Sequence, residues 1–184
     1  MGNVRATVVA TTWGMNWKNL LTLLVSVAAA AALIGNSTAD DEAVFPMPAG
    51  KTFVNECSSC HTAYAPGLLP VRSWRKMMDE LGTHFGEDAS LEEPQRLEIL
   101  KNLELLAADG SQANMRMRRI SGAIVPGSVP QRVTETGYFK YMHDEVPGYM
   151  WKRKKIGRQS NCVACHVRAN DGRYGEREIR IPQE

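Results

Sequence analysis

The stretch Cys57-Ser58-Ser59-Cys60-His61 recurs in form as Cys162-Val163-Ala164-Cys165-His166. The two runs use all four cysteines and two of the four histidines in a chain of 184 residues. Two thiols three residues apart can reach two substituents on one edge of a flat ring, and a histidine directly after them can turn beneath the ring plane. This is what covalent haem attachment requires: thioether bonds from both cysteines, with the histidine as an iron ligand. A structural zinc site also uses C-x-x-C pairs, but it has no need of a histidine after each one. A thioredoxin-like redox motif needs a strand–helix setting, and the residues around Cys57 do not read as one. Two structural disulfides are the remaining alternative. The pattern predicts two covalent haem c groups, held by Cys57, Cys60, Cys162 and Cys165, with His61 and His166 on the irons.

Each iron then has a sixth position to fill, and two histidines are left, His84 and His143. His84 lies 23 residues after His61, and His143 lies 23 before His166. Both sit in apolar-aromatic settings, Thr83-His84-Phe85-Gly86 and Tyr138-Phe139-Lys140-Tyr141-Met142-His143. One spare histidine per haem predicts bis-histidine ligation by His61, His84, His143 and His166. Methionine is the competing ligand, and it would raise the potential. Met77 and Met78 lie near His84 and Met142 adjoins His143, but Met77 and Met78 share a helical face with Trp74 and Leu81, which favours a core role. A crossed arrangement, with His143 on the first iron and His84 on the second, stays open.

The N-terminus reads as an export signal. Arg5 and Lys18 are the only charges before Asp40, and an apolar run extends from Leu20 to Gly35, interrupted by Thr22 and Ser26. The run is shorter than the roughly 20 residues a spanning helix needs and matches the core of a secretory signal. Ser37-Thr38-Ala39 supplies small residues for cleavage after Ala39, giving 1–39 as signal peptide. An uncleaved anchor is the alternative, and Met15 offers a second possible start. The leader takes two of the 22 basic residues and none of the 20 acidic ones, so the remaining 145 residues carry 20 of each. The overall formal charge of +2 excludes a dedicated nucleic-acid binder. With 43% hydrophobic and 23% charged residues the chain is neither disordered nor a membrane bundle. A periplasmic location without stable membrane insertion is expected.

Beyond the leader, 40–110 reads as a first haem domain and 111–184 as a second, less regular haem-binding segment. Residues 40–50 form a lead-in loop, and a short helix over 51–60, with Phe53 and Val54 inward, delivers the first attachment site. Ala65 to Pro70 is a loop near the haem edge. Trp74, Met77, Met78 and Leu81 mark one face of a helix over 73–81. Ser90-Leu91-Glu92-Glu93 offers a capping box for a helix whose face is Leu97, Leu100, Leu103 and Ala107. Later, 115–120 reads as a short basic helix, and Thr136 or Thr134 caps a helix running to Glu145. Residues 167–184 are expected to wrap the surface. The fold class is mainly α. The order of the first half resembles class I cytochrome c, where the sixth ligand precedes the closing helix; His84 stands in that place.

Several non-motif stretches carry a closer likeness: Ala65-Pro66-Gly67-Leu68-Leu69-Pro70, Trp74 to Gly86, Pro130-Gln131-Arg132-Val133-Thr134-Glu135-Thr136, and Ser160-Asn161-Cys162 to His166. On these the chain resembles the small exported dihaem cytochromes c. The resemblance implies two low-spin bis-histidine haems and an electron carrier rather than an enzyme. It also implies a membrane-bound cytochrome b as donor and an oxygen-binding monohaem cytochrome c as acceptor. Gly137 stands where proline would be expected. A gas-binding or peroxidase-like haem enzyme, in which one histidine detaches, is the competing class. Finally, Lys152-Arg153-Lys154-Lys155 with Arg158 is the densest charge run. It is either a solvated face or a dock for an acidic redox partner, and Arg116, Arg118 and Arg119 are candidates to balance haem propionates.

Overall fold

The computed structural model describes residues 43–183, so the expected signal peptide over 1–39 and its cleavage site lie outside the described residues. The architecture among them is α-helical, with short 3-10 turns and three isolated antiparallel bridges in place of strands. Five α-helices follow one another: α1 (Thr52–Cys57), α2 (Val71–Asp79), α3 (Glu93–Leu106), α4 (Met115–Gly122) and α5 (Gly137–Met142). No helix of the described residues is long and apolar enough to cross a membrane.

Two apolar clusters form the interior, and one short segment divides them. Phe53, Leu69, Trp74, Met78, Ile99 and Leu103 pack together around α2 and α3. Phe45, Leu68, Met117, Ile120 and Ile124 form the other cluster around α4. The expected loop 65–70 is this divider. Leu68 faces one cluster and Leu69 the other, and every residue from Ala65 to Pro70 is buried. Its backbone groups are paired: Trp74 donates its indole N–H to the Pro66 carbonyl at 2.7 Å, and Ala108 donates its N–H to the Leu69 carbonyl at 2.9 Å. Paired backbone is what allows an irregular segment to lie inside a core.

Local details differ from the sequence reading in instructive ways. On α1 only Phe53 turns inward, whereas Val54 is 38% exposed. The capping box does not form, because Glu92 is the N-cap of α3 and makes no side-chain bond there. Pro94 in the first turn supplies the preset φ instead. Ser90 serves a tight turn, its N–H donated to Asp88 Oδ1 at 2.9 Å. The buried stripe of α3 is Ile99, Leu103 and Leu106, and Leu97 is 49% exposed. Helix α5 does begin at Thr136, whose hydroxyl accepts the Phe139 N–H at 3.2 Å, but it ends at Met142.

The C-terminal tail is more than a surface wrap. Phe45 donates its N–H to Gly172 at 2.7 Å, Tyr174 donates to Ala43 at 2.8 Å, and Arg180 donates to Cys165 at 2.8 Å. Gly172 has φ +70, and a Cβ there would stand 2.0 Å from the Phe45 carbonyl oxygen. Only glycine allows the tail to close on the lead-in strand at this point.

Candidate metal centres

Each C-x-x-C-H run approaches one of the two remaining histidines. The first cysteine pair closes α1, so Cys57 ends the helix and His61 follows in the turn beyond it. His84 arrives at the end of the 3-10 turn Leu81–Thr83, between α2 and α3. The His61 and His84 rings lie 6.0 Å apart between centres, with planes 22° from parallel. In the second half, His143 ends α5 and His166 follows the 3-10 turn Cys162–Ala164. Their centres are also 6.0 Å apart, but the planes meet at 79°. Two imidazoles bound to one metal ion through bonds of about 2 Å each would stand about 6 Å apart between ring centres.

Hydrogen bonds orient two of the four histidines. His61 Nδ1 lies 2.7 Å from the Thr62 carbonyl, and His143 Nδ1 lies 2.8 Å from the Phe139 carbonyl. A carbonyl accepts only from a protonated nitrogen, so both bonds assign the proton to Nδ1 and leave the Nε2 lone pair for a metal. His166 Nδ1 is buried without a protein hydrogen-bond partner. Burial lowers the His166 pKa, with His143 adding to the shift; burial also lowers that of His84, followed by His61 and Arg132. Neutral imidazole is the ligating form.

Aromatic rings enclose the histidines. Phe139 stacks on His143 at 4.1 Å between centres, and Trp151 stands 5.9 Å from the same ring. Tyr174 approaches His166 at 5.3 Å. A cavity of about 660 Å³ opens between them, lined by Cys162, Cys165, His143, His166, Trp151 and Arg116, among others. That volume is in the range of cofactor pockets. Of the three arginines named above, Arg116 borders this cavity, while Arg118 and Arg119 are exposed. At the first centre, Tyr64 lies 5.2 Å from His61 and Phe85 lies 4.8 Å from His84.

These donors fit a porphyrin better than a bare ion. No disulfide joins the four cysteines, so both pairs are available for thioether bonds to a porphyrin. Among the described residues no group of three or more His, Cys, Asp or Glu side chains could hold a metal ion by itself. Met78 is buried in the α2–α3 core, while Met142 borders the second cavity.

The family model described as dihaem cytochrome c matches residues 53–174. The chain belongs to the dihaem cytochrome c family. A diheme cytochrome c from Rhodobacter sphaeroides is similar at 41% identity and a TM-score of 0.62, over 70% of this chain and 98% of that one. A second structure, of DHC purified from Rhodobacter sphaeroides, matches at 38% identity and 0.57, over 70% and 100%. The diheme cytochrome type c from Shewanella baltica OS155 matches at 33% identity and 0.60, over 74% and 95%. No curated protein matches. This dihaem cytochrome therefore carries two covalently bound haem c groups, each supplying a one-electron iron couple.

Sequence reading missed some residues around the centres. Arg132 places its guanidinium 4.0 Å over the Phe85 ring, beside His84, from 47 positions further along the chain. Tyr64 sits by His61 and donates its hydroxyl to the Ser160 carbonyl at 2.7 Å, two residues before Cys162. The aromatic type of Tyr64 was a signal at the first site, but nothing in the sequence pointed it toward the second.

Proposed function

We propose that this dihaem cytochrome c is a periplasmic electron carrier whose irons are each held by two imidazoles, His61 with His84 and His143 with His166. The observation that carries the reading is the pair of 6.0 Å approaches, each matching the spacing of two axial ligands. Two imidazoles from the chain on each iron would leave no open position for substrate. The chain's own residues then serve to fix ligands and exclude water. Thr62 and Phe139 carbonyls hold the His61 and His143 tautomers, and Phe139 and Trp151 wall the second site. Two imidazoles per iron favour a lower potential than a methionine–histidine pair. A membrane-bound cytochrome b as donor and an oxygen-binding monohaem cytochrome c as acceptor complete the proposal, as the sequence likeness implies, and the leader read over 1–39 supports export.

Carbon monoxide tests the ligation directly. Added to the dithionite-reduced holoprotein at neutral pH, it should leave the optical spectrum unchanged. Uptake of one equivalent would mean a displaceable histidine and would favour the gas-binding or peroxidase-like alternative. A methionine-to-iron charge-transfer band in the oxidised protein would overturn the ligand set.

A further inference from the structure

The charges of this chain are divided between its two haem-binding halves. Residues 43–110 hold six Lys and Arg against ten Asp and Glu, whereas 111–183 hold fourteen against six. The first half is therefore net negative and the second strongly positive, in a chain that is nearly neutral as a whole. Pairing sharpens the contrast. Arg72, Arg75, Lys76 and Arg96 of the first half are each in an ion pair. In the second half, Lys152, Lys154, Lys155 and Arg158 are all exposed, and none is in an ion pair among the described residues.

The fold also ties this cationic run to the second haem site. Trp151 and Ile156 of the same segment turn inward to line the second cavity. Arg153 turns back to donate to the Pro182 carbonyl at 3.0 Å, and Asn161 secures the Ile156 carbonyl at 2.9 Å. Lys152, Lys154 and Lys155 are thus the outer side of a wall whose inner side is the cavity. Tyr149, 66% exposed, begins the same stretch, and Met142, 46% exposed, lies at the cavity edge. Tyrosine, methionine and arginine are enriched where proteins meet.

We infer that Lys152, Lys154, Lys155 and Arg158 form a docking face for an acidic protein that exchanges electrons with the second haem. The inference rests on the carrier reading for its electron-exchange part. A protein is favoured over an anionic membrane because the exposed aromatic and thioether groups are few and lie among the charges. They form no apolar wedge of the kind that enters lipid. Unpaired charges held around a redox site speed encounter by steering, an effect that salt removes.

Plant-type ferredoxin, a small acidic one-electron donor, is the probe. Reduced ferredoxin gives one electron to the oxidised holoprotein, which gains one reducing equivalent. At about 10 mM ionic strength, K152E/K154E/K155E should slow this step roughly tenfold or more, and the difference should largely vanish near 0.3 M salt. With both proteins oxidised, so that no electron moves, ferredoxin should shift the amide NMR signals of residues 150–159 in the wild type and not in the variant. A second variant, Glu92→Lys/Glu98→Lys on the acidic half, should not lower the ferredoxin rate and so controls for general effects of charge reversal. Equal rates and unshifted amides in wild type and triple variant would overturn the docking face. So would lysine-dependent binding to phosphatidylglycerol vesicles without any ferredoxin effect. Amide shifts in a protein that dithionite reduces but ferredoxin never does would uphold the surface and reject its electron-exchange role.

Discussion

Phe139 holds His143 from two directions. Its ring stacks on the His143 imidazole at 4.1 Å while its carbonyl takes the His143 Nδ1 proton. Phe139→Ala removes the stacking ring from a buried site. It should cost the holoprotein about 3–5 kcal/mol in denaturant unfolding, in line with aromatic-to-alanine changes in cores, and should allow carbon monoxide onto one of the two irons. Tyr174 makes a pH-dependent contribution. Burial raises its phenol well above the ordinary tyrosine range, with Tyr64 adding to the shift. The folded state then keeps a proton that the unfolded state gives up near pH 10, so this contribution is full below that pH and is lost as pH rises through the window above it. Tyr174→Phe should flatten the alkaline limb of a stability–pH curve above about pH 10 and leave the pH dependence near neutrality unchanged. That the chain carries two haem c groups was legible because the two C-x-x-C-H runs use all four cysteines. Arg132 over Phe85 was not legible, because a cation–ring contact between distant positions follows from the fold and not from spacing.

At the scale of elements, α3 shows how far periodicity reaches: Leu103 and Ala107 of the expected face are buried and Leu100 packs beside them, whereas Leu97 is 49% exposed. Leu97, Ile99, Leu100, Leu103, Leu105 and Leu106 surround much of its circumference, and two stripes satisfy helical spacing. The neighbouring α2 and the divider segment bury Ile99 and Leu103, with Ala107 beyond the helix end and Leu100 packed beside them. Ile99→Ala should therefore cost about 2–5 kcal/mol, while Leu97→Ala should stay within about 0.5 kcal/mol in the same thermal or denaturant measurement. Ser90→Ala is expected to be equally mild, since Ser90 caps no helix. Helix α2 was legible because Trp74 and Met78 leave only one apolar face. The existence of α1, α4 and α5 was legible as well, with Thr136 capping α5. Their lengths were not: α1 stops at Cys57 and α5 at Met142, each short of its expected end, while α4 runs on to Gly122.

On the scale of the whole molecule, main-chain bonds, together with the Phe45–Tyr174 ring contact at 5.5 Å, join the lead-in at 43–45 to the tail at 172–174. The tail from 167 to 184 looked like a surface strap because its side chains are mostly polar, but the Phe45–Gly172 and Arg180–Cys165 bonds are made by backbone, which leaves no side-chain signature. Gly172→Ala forces a Cβ into the Phe45 carbonyl and strains a positive φ. The variant should melt at a clearly lower temperature. Its second haem spectrum should be disturbed before the first, since Tyr174 and Ile179 border that cavity.

The ring planes carry one more consequence. An iron between imidazoles that are nearly parallel, as at 22°, has two of its d orbitals split apart in energy. Between rings close to perpendicular, as at 79°, those orbitals are almost degenerate. Electron paramagnetic resonance of the frozen oxidised protein should accordingly give a rhombic three-line signal from one iron and a single strongly anisotropic low-field feature from the other. Each centre would then carry its own label, and the order in which they fill with electrons could be read from which label fades first.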